Sequence, residues 1–569
     1  MESTNKLIKT LFDKGILVNR DILTKEVSEE ILHQIESESD LIVLNSDYVD
    51  IMTQQENLVD WYEIDKYRVE SEKDRNDELY QTHLQNFRKS VFIIKDPKNE
   101  NNNKEQNITS LETTLNDAAS SFSTKSSFLE EDSSSLHLLS SLSPSLPTQI
   151  DSAVTIVVSH KNIPKKYLVS DFTQFFVSRY KFLENILRSR QELQHTLTIN
   201  RVLGKKERGE VSVIGLVESI NETKNGNIII TLEDLTGKIK IFISKNNKKL
   251  YAQAKDIVFD EVLGVSGTSS DGIIFSETIL WPDIPHITEL KKSPVEEYAI
   301  FLSDVHVGSN VFLHDEFAQF IKWINGNVGN QEQRAIAQKT KYILIAGDLV
   351  DGIGIYPSQF EELTITDIRE QYEKFVQLIA QIPSDKHIIV CPGNHDAVHL
   401  AEPQSAFNEE FCSALFTIPN ITLVTNPGVV NIGKTKTFSG FDILLYHGYS
   451  FDYYVANVES IRNGGGYHRA DLLMKFMLKR RHMAPSFKST PYYPSYKEDP
   501  LLIKMIPDFF ITGHIHYSKV ANYKGITMIC GSCWQGKTSF QEKLGHEPEP
   551  ARVPVVNLKT REVKILKFI

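Results

Sequence analysis

The sequence predicts a multidomain α+β chain in which a small antiparallel barrel precedes a layered α/β domain, with a small helical module in front. Three patterns carry this. Apolar residues recur at helical spacing near the N-terminus, alternate with a period of two between about residues 210 and 280, and from residue 298 gather into short runs separated by helical segments. With 569 residues, 41% of them apolar, the chain has material for several cores.

Residues 1–95 read as the helical module: LIKTLFDKGI and SEEILHQIESE carry helical apolar spacing, and Ser28 is a plausible N-cap. Residues 96–150 read as a disordered linker. From Pro97 to Thr148 they are rich in Ser, Asn and Thr, and bury too little apolar surface to offset the entropy of ordering. Residues 151–200 hold a strand, VTIVVSH, and a long helix capped by Ser170. Along that helix Phe172, Phe175, Phe176, Arg179, Leu183, Ile186 and Leu187 form one face, suited to a core or to a partner. In residues 201–292, five or so short β-rich runs with turn signals at Asn225-Gly226 and Thr236-Gly237 fit a barrel of the OB type. The barrel shows no obvious stacking aromatics, so a structural role is expected ahead of single-strand binding. Residues 293–569 form the α/β domain.

No run of eighteen apolar residues occurs, and MESTNKLIKTLFDKG lacks the pattern of a signal peptide. A soluble, intracellular, cytoplasmic chain without membrane contact is expected. Four cysteines (Cys391, Cys412, Cys530, Cys533) are too few for a disulfide framework; Cys530-x-x-Cys533 has no second pair to complete a zinc site, so buried reduced thiols are expected. The net charge of −12 gives no overall attraction to nucleic acid, so such binding must use basic patches or metal ions.

In the α/β domain five apolar runs each end in a polar cluster: YAIFLSDVHVG, YILIAGDLVDG, HIIVCPGNHDA, FDILLYHGYS and DFFITGHIHY. Strands in such a domain deliver their carboxyl ends to one edge, where ligands bind. The clusters supply Asp304, His306, Asp348, Asn394, His395, His447, His514 and His516. This mixture of carboxylate, amide and imidazole suits two divalent ions of the Mn²⁺, Fe²⁺ or Zn²⁺ kind better than Ca²⁺ or Mg²⁺, which prefer oxygen shells. In D-x-H and H-x-H, side chains two apart on a strand would face one site. Each motif alone has an ordinary explanation as a cap, turn or core histidine; the ordered set of five does not.

The series D-x-H, GD-x-x-D, GNHD, HG and GH-x-H resembles the calcineurin-like metallophosphoesterases over about residues 298–517, with every ligand position filled. The resemblance implies a calcineurin-like α/β sandwich in which Asp304, His306, Asp348 and His516 hold one metal. Asp348, Asn394, His447 and His514 would hold the other, and Mn²⁺ is expected foremost. It further implies that His395 stands beside the scissile phosphate and that Asp396 orients it. Protein phosphatases of the wider family carry GD-x-V-D-R-G and GNHE. Here Gly352 follows Asp351 directly and Asp396 replaces the Glu, which favours phosphodiester hydrolysis.

A narrower resemblance, to the small subunits of archaeal family-D DNA polymerases, rests on VSDFTQFFVSRYKFL, CPGNHDAVHLAEPQ and SIRNGGGYHRADLLMKFMLKRRHMAP together with the domain order. It implies a nucleoid-associated proofreading 3′ to 5′ exonuclease, acting on single-stranded or mispaired primer ends and bound to a large polymerising subunit. Two rival readings are a scaffold subunit, as in eukaryotic accessory subunits that have lost ligands, and a free-standing nuclease or phosphodiesterase. Lys479, Arg480, Arg481 and His482, the densest basic run of the domain, are candidates for contact with DNA or with an acidic partner surface. His399 stands where an Arg is expected, a further candidate phosphate contact.

Overall fold

The computed structural model describes residues 17–18, 43–44, 154–161, 165–287, 289–494, 498–543 and 545–568. The chain divides into two units, Met1–Ser143 and Pro144–Ile569. In the first, strand β1 (Leu17–Val18) pairs in parallel with β2 (Val43–Leu44). The two expected helical runs, the Ser28 cap and the linker lie outside the described residues.

The second unit opens with β3 (Val154–Val158) and helix α1 (Val169–Arg188). The expected cap at Ser170 is corrected. The helix begins one residue earlier, and the Asp171 carboxylate in its first turn accepts the Leu168 N–H at 2.8 Å, where the helix dipole favours an acid. The α1 face buries Phe175, Tyr180, Leu183 and Leu187 as the spacing requires, and buries Arg179 completely.

The alternating segment folds as a closed barrel in the order β4-β5-β6-β8-β7: β4 (Gly209–Glu222), β5 (Ile228–Asp234), β6 (Gly237–Ile243), β7 (Val262–Ser270) and β8 (Ile273–Leu280). The alternation points Ile239, Ile241 and Ile243 of β6 into the core, against Ile230 and Leu232 of β5. At the Thr236-Gly237 turn, the Asp234 carboxylate accepts both residues' N–H groups. This is an OB-fold. Phe242 and Phe275 are register partners across the parallel β6–β8 pair, with ring centroids 5.4 Å apart, planes tilted by 57° and Phe275 exposed. Each ring stands alone in its own run, so only the pairing reveals them as neighbours.

The α/β domain is a sandwich of two six-stranded sheets. One runs β12-β11-β10-β9-β18-β19, comprising β9 (Tyr298–Leu302), β10 (Thr340–Ala346), β11 (His387–Cys391), β12 (Ile421–Leu423), β18 (Arg552–Asn557) and β19 (Val563–Lys567). The other runs β16-β17-β15-β14-β13-β3, with β13 (Gly428–Ile432), β14 (Phe441–Leu445), β15 (Phe509–Thr512), β16 (Lys519–Tyr523) and β17 (Ile526–Cys530). Phe301, Leu344 and Ile389 meet Phe441, Ile443 and Phe509 between the sheets. The outer faces are covered by α2 (His314–Ile324) and α3 (Ile368–Ile379) on the first sheet and α4 (Ala470–Arg480) on the second. Burial on both faces is why these strands read as continuous apolar runs. The neighbours β9, β10 and β11 are parallel, as are β14 and β15, so all five predicted runs bring their carboxyl ends to one edge of the sandwich.

Candidate metal centre

At that edge the candidate ligands converge in two groups. Asp304, His306 and His516 present ligand atoms within 4.8 Å of one another, and so do Asp348, His447 and His514. Nε2 of His306 and Nε2 of His516 are 3.0 Å apart, and His516 Nε2 is 3.5 Å from Asp304 Oδ1. In the second group His447 Nε2 lies 3.2 Å from Asp348 Oδ2 and 3.0 Å from Asn394 Oδ1. Asp348 Oδ2 also lies 3.8 Å from His306 Nε2, so one carboxylate serves both groups. Buried nitrogen and oxygen lone pairs turned on a common centre fit divalent cations of the imidazole-accepting kind.

The reason the side chains converge differs from the one read off the sequence. β9 ends at Leu302 and β15 at Thr512, so strand pleating does not align D-x-H or H-x-H. Instead Asp304, His306, Asp348, His514 and His516 all take left-handed backbone conformations, with φ between 51° and 72°. Such conformations are costly for residues with a Cβ and gather at sites where the surroundings impose them. The close glycines are part of that imposition: a Cβ on Gly393 would stand 2.1 Å from Asp348 Oδ1, and one on Gly347, at φ +87°, 2.4 Å from His447 Nδ1.

Charge follows the geometry. Burial disfavours an imidazolium at His447, yet the Asp348 carboxylate beside it raises its pKa to about 10; the same field draws a cation. Burial likewise opposes ionisation of Asp304 and Asp348, but the surrounding imidazoles hold both below the usual carboxylate range. His447 Nδ1 donates to the Ala346 carbonyl at 2.7 Å, which leaves Nε2 for the centre.

His395 sits beside this cluster, its ring centroid 4.6 Å from that of His306. Its Nδ1–H donates to the Asp351 carbonyl at 2.7 Å and its backbone N–H to Asp348 Oδ1 at 2.9 Å. Nε2 is thereby the free ring nitrogen, and burial lowers the ring's pKa. The expected role of Asp396 is corrected. Its carboxylate accepts the N–H groups of Gly393 (2.8 Å) and Leu349 (3.2 Å) and the Tyr372 hydroxyl (3.1 Å), so it fastens the β10 and β11 loops to each other, while Asp351 orients the imidazole. Burial, with the Asp348 charge, raises Asp396 to about 7.

An outer ring of partners was not foreseen. Asp351 Oδ1 lies 3.1 Å from His306 Nδ1 and also accepts from Gln535 Nε2 at 2.7 Å. Asp452 Oδ2 is 3.0 Å from His514 Nε2, which leaves Nδ1 for the Asp348 group, and the Gln541 amide is 3.0 Å from His516 Nδ1. The second Asp of GD-x-x-D was a signal for Asp351; the two glutamines and Asp452 belong to no motif. A cavity of about 920 Å³ opens over the cluster.

The basic run is not at this cavity, and its reading as a DNA or partner contact is corrected. Arg480, Arg481 and His482 lie buried, and Lys479 half-buried, at the junction with the barrel. Arg480 Nε is 2.5 Å from Glu261 Oε2 of the barrel, Arg481 donates to the Ile503 and Lys504 carbonyls, and Lys479 Nζ stands 3.6 Å from the Trp281 ring centroid. His482 Nε2 is 2.7 Å from Asp499 Oδ2, which also takes Arg179 Nε at 2.7 Å. The acidic surface this run meets is the chain's own barrel and loop. His399 is corrected for the same reason: Nδ1 pairs with the Ala401 carbonyl (2.7 Å) and Nε2 with the Tyr493 hydroxyl (3.1 Å), leaving neither nitrogen for a phosphate. All four cysteines are buried free thiols. No helix among the described residues is long and apolar enough to cross a membrane.

Residues 299–520 match the model of the B-subunit family of DNA polymerases alpha and epsilon, and residues 211–271 the model described as OB-fold nucleic acid binding domain. The DNA polymerase II small subunit of Methanothermobacter thermautotrophicus is 40% identical over 400 residues, which cover 70% of this chain and 80% of that protein. Its counterpart from Pyrococcus furiosus is 37% identical over 405 residues, 70% of this chain and 64% of that protein. Among solved structures, an archaeal phosphodiesterase is similar over 47% of this chain and 98% of its own, at 12% identity and a TM-score of 0.23.

Proposed function

Because the chain belongs to the family of DNA polymerase II small subunits, the small subunits of the archaeal family-D polymerases, we propose that it is the proofreading 3′ to 5′ exonuclease of a heteromeric replicative polymerase. Its partner is the large polymerising subunit, and its substrate is a single-stranded or mispaired primer end. The observation that carries the reading is the complete, converging donor set: none of Asp304, His306, Asp348, Asn394, His447, His514 and His516 is replaced, and Asp348 touches both halves. Asp304, His306, Asp348 and His516 would hold one ion and Asp348, Asn394, His447 and His514 the other, with Mn²⁺ the foremost candidate. Two ions held there would supply charge neutralisation on the phosphoryl oxygens and acidification of water.

The chain's own residues do the rest. The Ala346 and Asp351 carbonyls and the Asp452 carboxylate fix which nitrogen of His447, His395 and His514 faces the cavity. His395, with Nδ1 tied to the Asp351 carbonyl, turns Nε2 to the cavity, where, once the ring has taken up a second proton, it can hand that proton to the departing oxygen. A scaffold role is the second reading, favoured by the match to the alpha/epsilon polymerase family model.

The test is Mn²⁺-dependent digestion of 5′-labelled single-stranded DNA by the full chain and by its complex with the large subunit, each against the His395→Ala variant. A ladder shortening from the 3′ end, slowed roughly 10²- to 10⁴-fold in the variant, is the expected result. No digestion by either metal-loaded preparation favours the scaffold.

A further inference from the structure

The lining of the cavity over the metal centre has an unusual charge inventory for a nucleic-acid site. Among the described residues it includes aspartates and histidines, but no Lys or Arg. Phosphate groups entering it meet no cationic side chain, so the counterion-exchange contacts that usually hold a polynucleotide are missing here. The wall offers ring surface instead. Tyr356 and Phe540 stack with centroids 5.1 Å apart and planes 20° from parallel, and the Tyr356 ring lies 6.3 Å from that of His395. The Tyr356 hydroxyl is tethered to Glu362 Oε2 at 3.1 Å, which fixes the ring without using its faces. Phe540 is 36% exposed, and Ile353 and Ile355, also lining the cavity, are 41% and 38% exposed. Apolar groups left open beside buried carboxylates contribute little to any core; they suit a flat apolar ligand.

Resting on the reading that this centre hydrolyses a polynucleotide end, we propose that the Tyr356–Phe540 wall is a nucleobase subsite. The terminal unpaired base stacks there, and the phosphodiester next to it is presented to His395 and the metal ligands. Stacking accepts any base, because every base has a π-face, so the wall holds an end without reading its sequence. It also separates frayed from paired ends. A base still in its duplex has its faces covered by the neighbouring stack and its edge by its complement, so it offers no face to the wall and fraying must come first. Selection for a mispaired end thus follows from the cheaper unstacking of a mismatch.

The test reads binding apart from hydrolysis. Fluorescence anisotropy of the full chain in Mn²⁺ is measured with single-stranded oligonucleotides whose 3′-terminal linkage is a phosphorothioate, which slows cleavage. The 3′ terminus is either a normal nucleotide or an abasic one. The wild type is expected to bind the abasic end roughly 5- to 100-fold more weakly. Phe540→Leu should lose a similar factor on the normal end and nothing further on the abasic end, whereas Phe540→Trp should keep the difference. A wild type indifferent to the terminal base, or a Phe540→Leu variant that still discriminates, overturns the subsite. Base-dependent binding without any digestion of ordinary DNA would instead keep the subsite and overturn the hydrolytic reading.

Discussion

The strand-end cluster and the basic run at the barrel junction are both buried assemblies of charged and polar groups, yet they are organised in opposite ways. At the junction the groups meet partners within the chain: Arg480 pairs with Glu261 and Arg179 with Asp499, which also takes the neutral His482 ring, while Arg481 donates to carbonyls. At the strand ends carboxylates and imidazoles crowd around an open cavity, five of them on left-handed backbone, and their lone pairs face one another. The first arrangement is closed off by ion pairs within the chain and fastens two domains. The second crowds carboxylates and imidazoles at the floor of an open cavity, the arrangement a candidate cation centre requires.

Removing one partner at the junction should show the largest effect. Arg480→Ala leaves Glu261 buried without its cation; burial already raises that carboxyl against the pull of Arg480. A loss of about 3–5 kcal/mol is expected from denaturant unfolding, with digestion per folded molecule unchanged. A variant of wild-type stability but weaker DNA binding would restore the DNA-contact reading of this run.

The same junction should respond to acid. His482 Nδ1 accepts the Ala484 N–H at 2.9 Å, so the neutral ring fits its surroundings, and burial lowers its pKa to about 4. An unfolded His titrates near 6.5, so the unfolded chain takes up a proton that the folded one refuses. The contribution is complete above pH 6.5 and is lost as pH falls towards 4, by up to about 3 kcal/mol. Unfolding free energies at pH 7 and pH 4.5 measure this, and His482→Gln should reduce the slope; an unchanged slope would mean the ring is already charged at neutral pH.

At the strand ends the expected pattern reverses, with function lost and fold kept. Gly393→Ala puts a methyl group 2.1 Å from Asp348 Oδ1, so the shared carboxylate must move. Displacement on that scale costs on the order of 10²-fold in digestion rate. Retained activity would mean that Asp348 is not the shared ligand. The smallest effect is expected one shell out: Asp452→Asn loosens His514 and should weaken metal affinity roughly 10- to 100-fold by titration calorimetry, whereas unaltered affinity would remove Asp452 from the account.

The contrast also explains what was legible in the sequence. Strands buried on both faces must be written as short apolar runs, and groups gathered at their ends must follow within a few residues, so five motifs carried the sandwich and the candidate ligands together. Nothing in KRRH records burial, because Glu261, Trp281 and Asp499 belong to distant parts of the chain. Asp452, Gln535 and Gln541 support the centre from loops that the motifs do not reach. Left-handed φ at Asp304 and His306 is likewise set by the loops' surroundings, which is why pleat alternation does not account for the convergence of these side chains. Asp396 was misassigned because adjacency in sequence says little about direction: its carboxylate turns to Gly393, Leu349 and Tyr372.

The most direct test of the centre is its metal stoichiometry, by equilibrium dialysis against Mn²⁺ and elemental analysis of the full chain and of Asp348→Asn, with both shown to be folded. Two ions per wild-type chain and no more than one in the variant is the expected result. A folded wild type that retains no ion would contradict the account, and leave this ligand set as a relic within a scaffold.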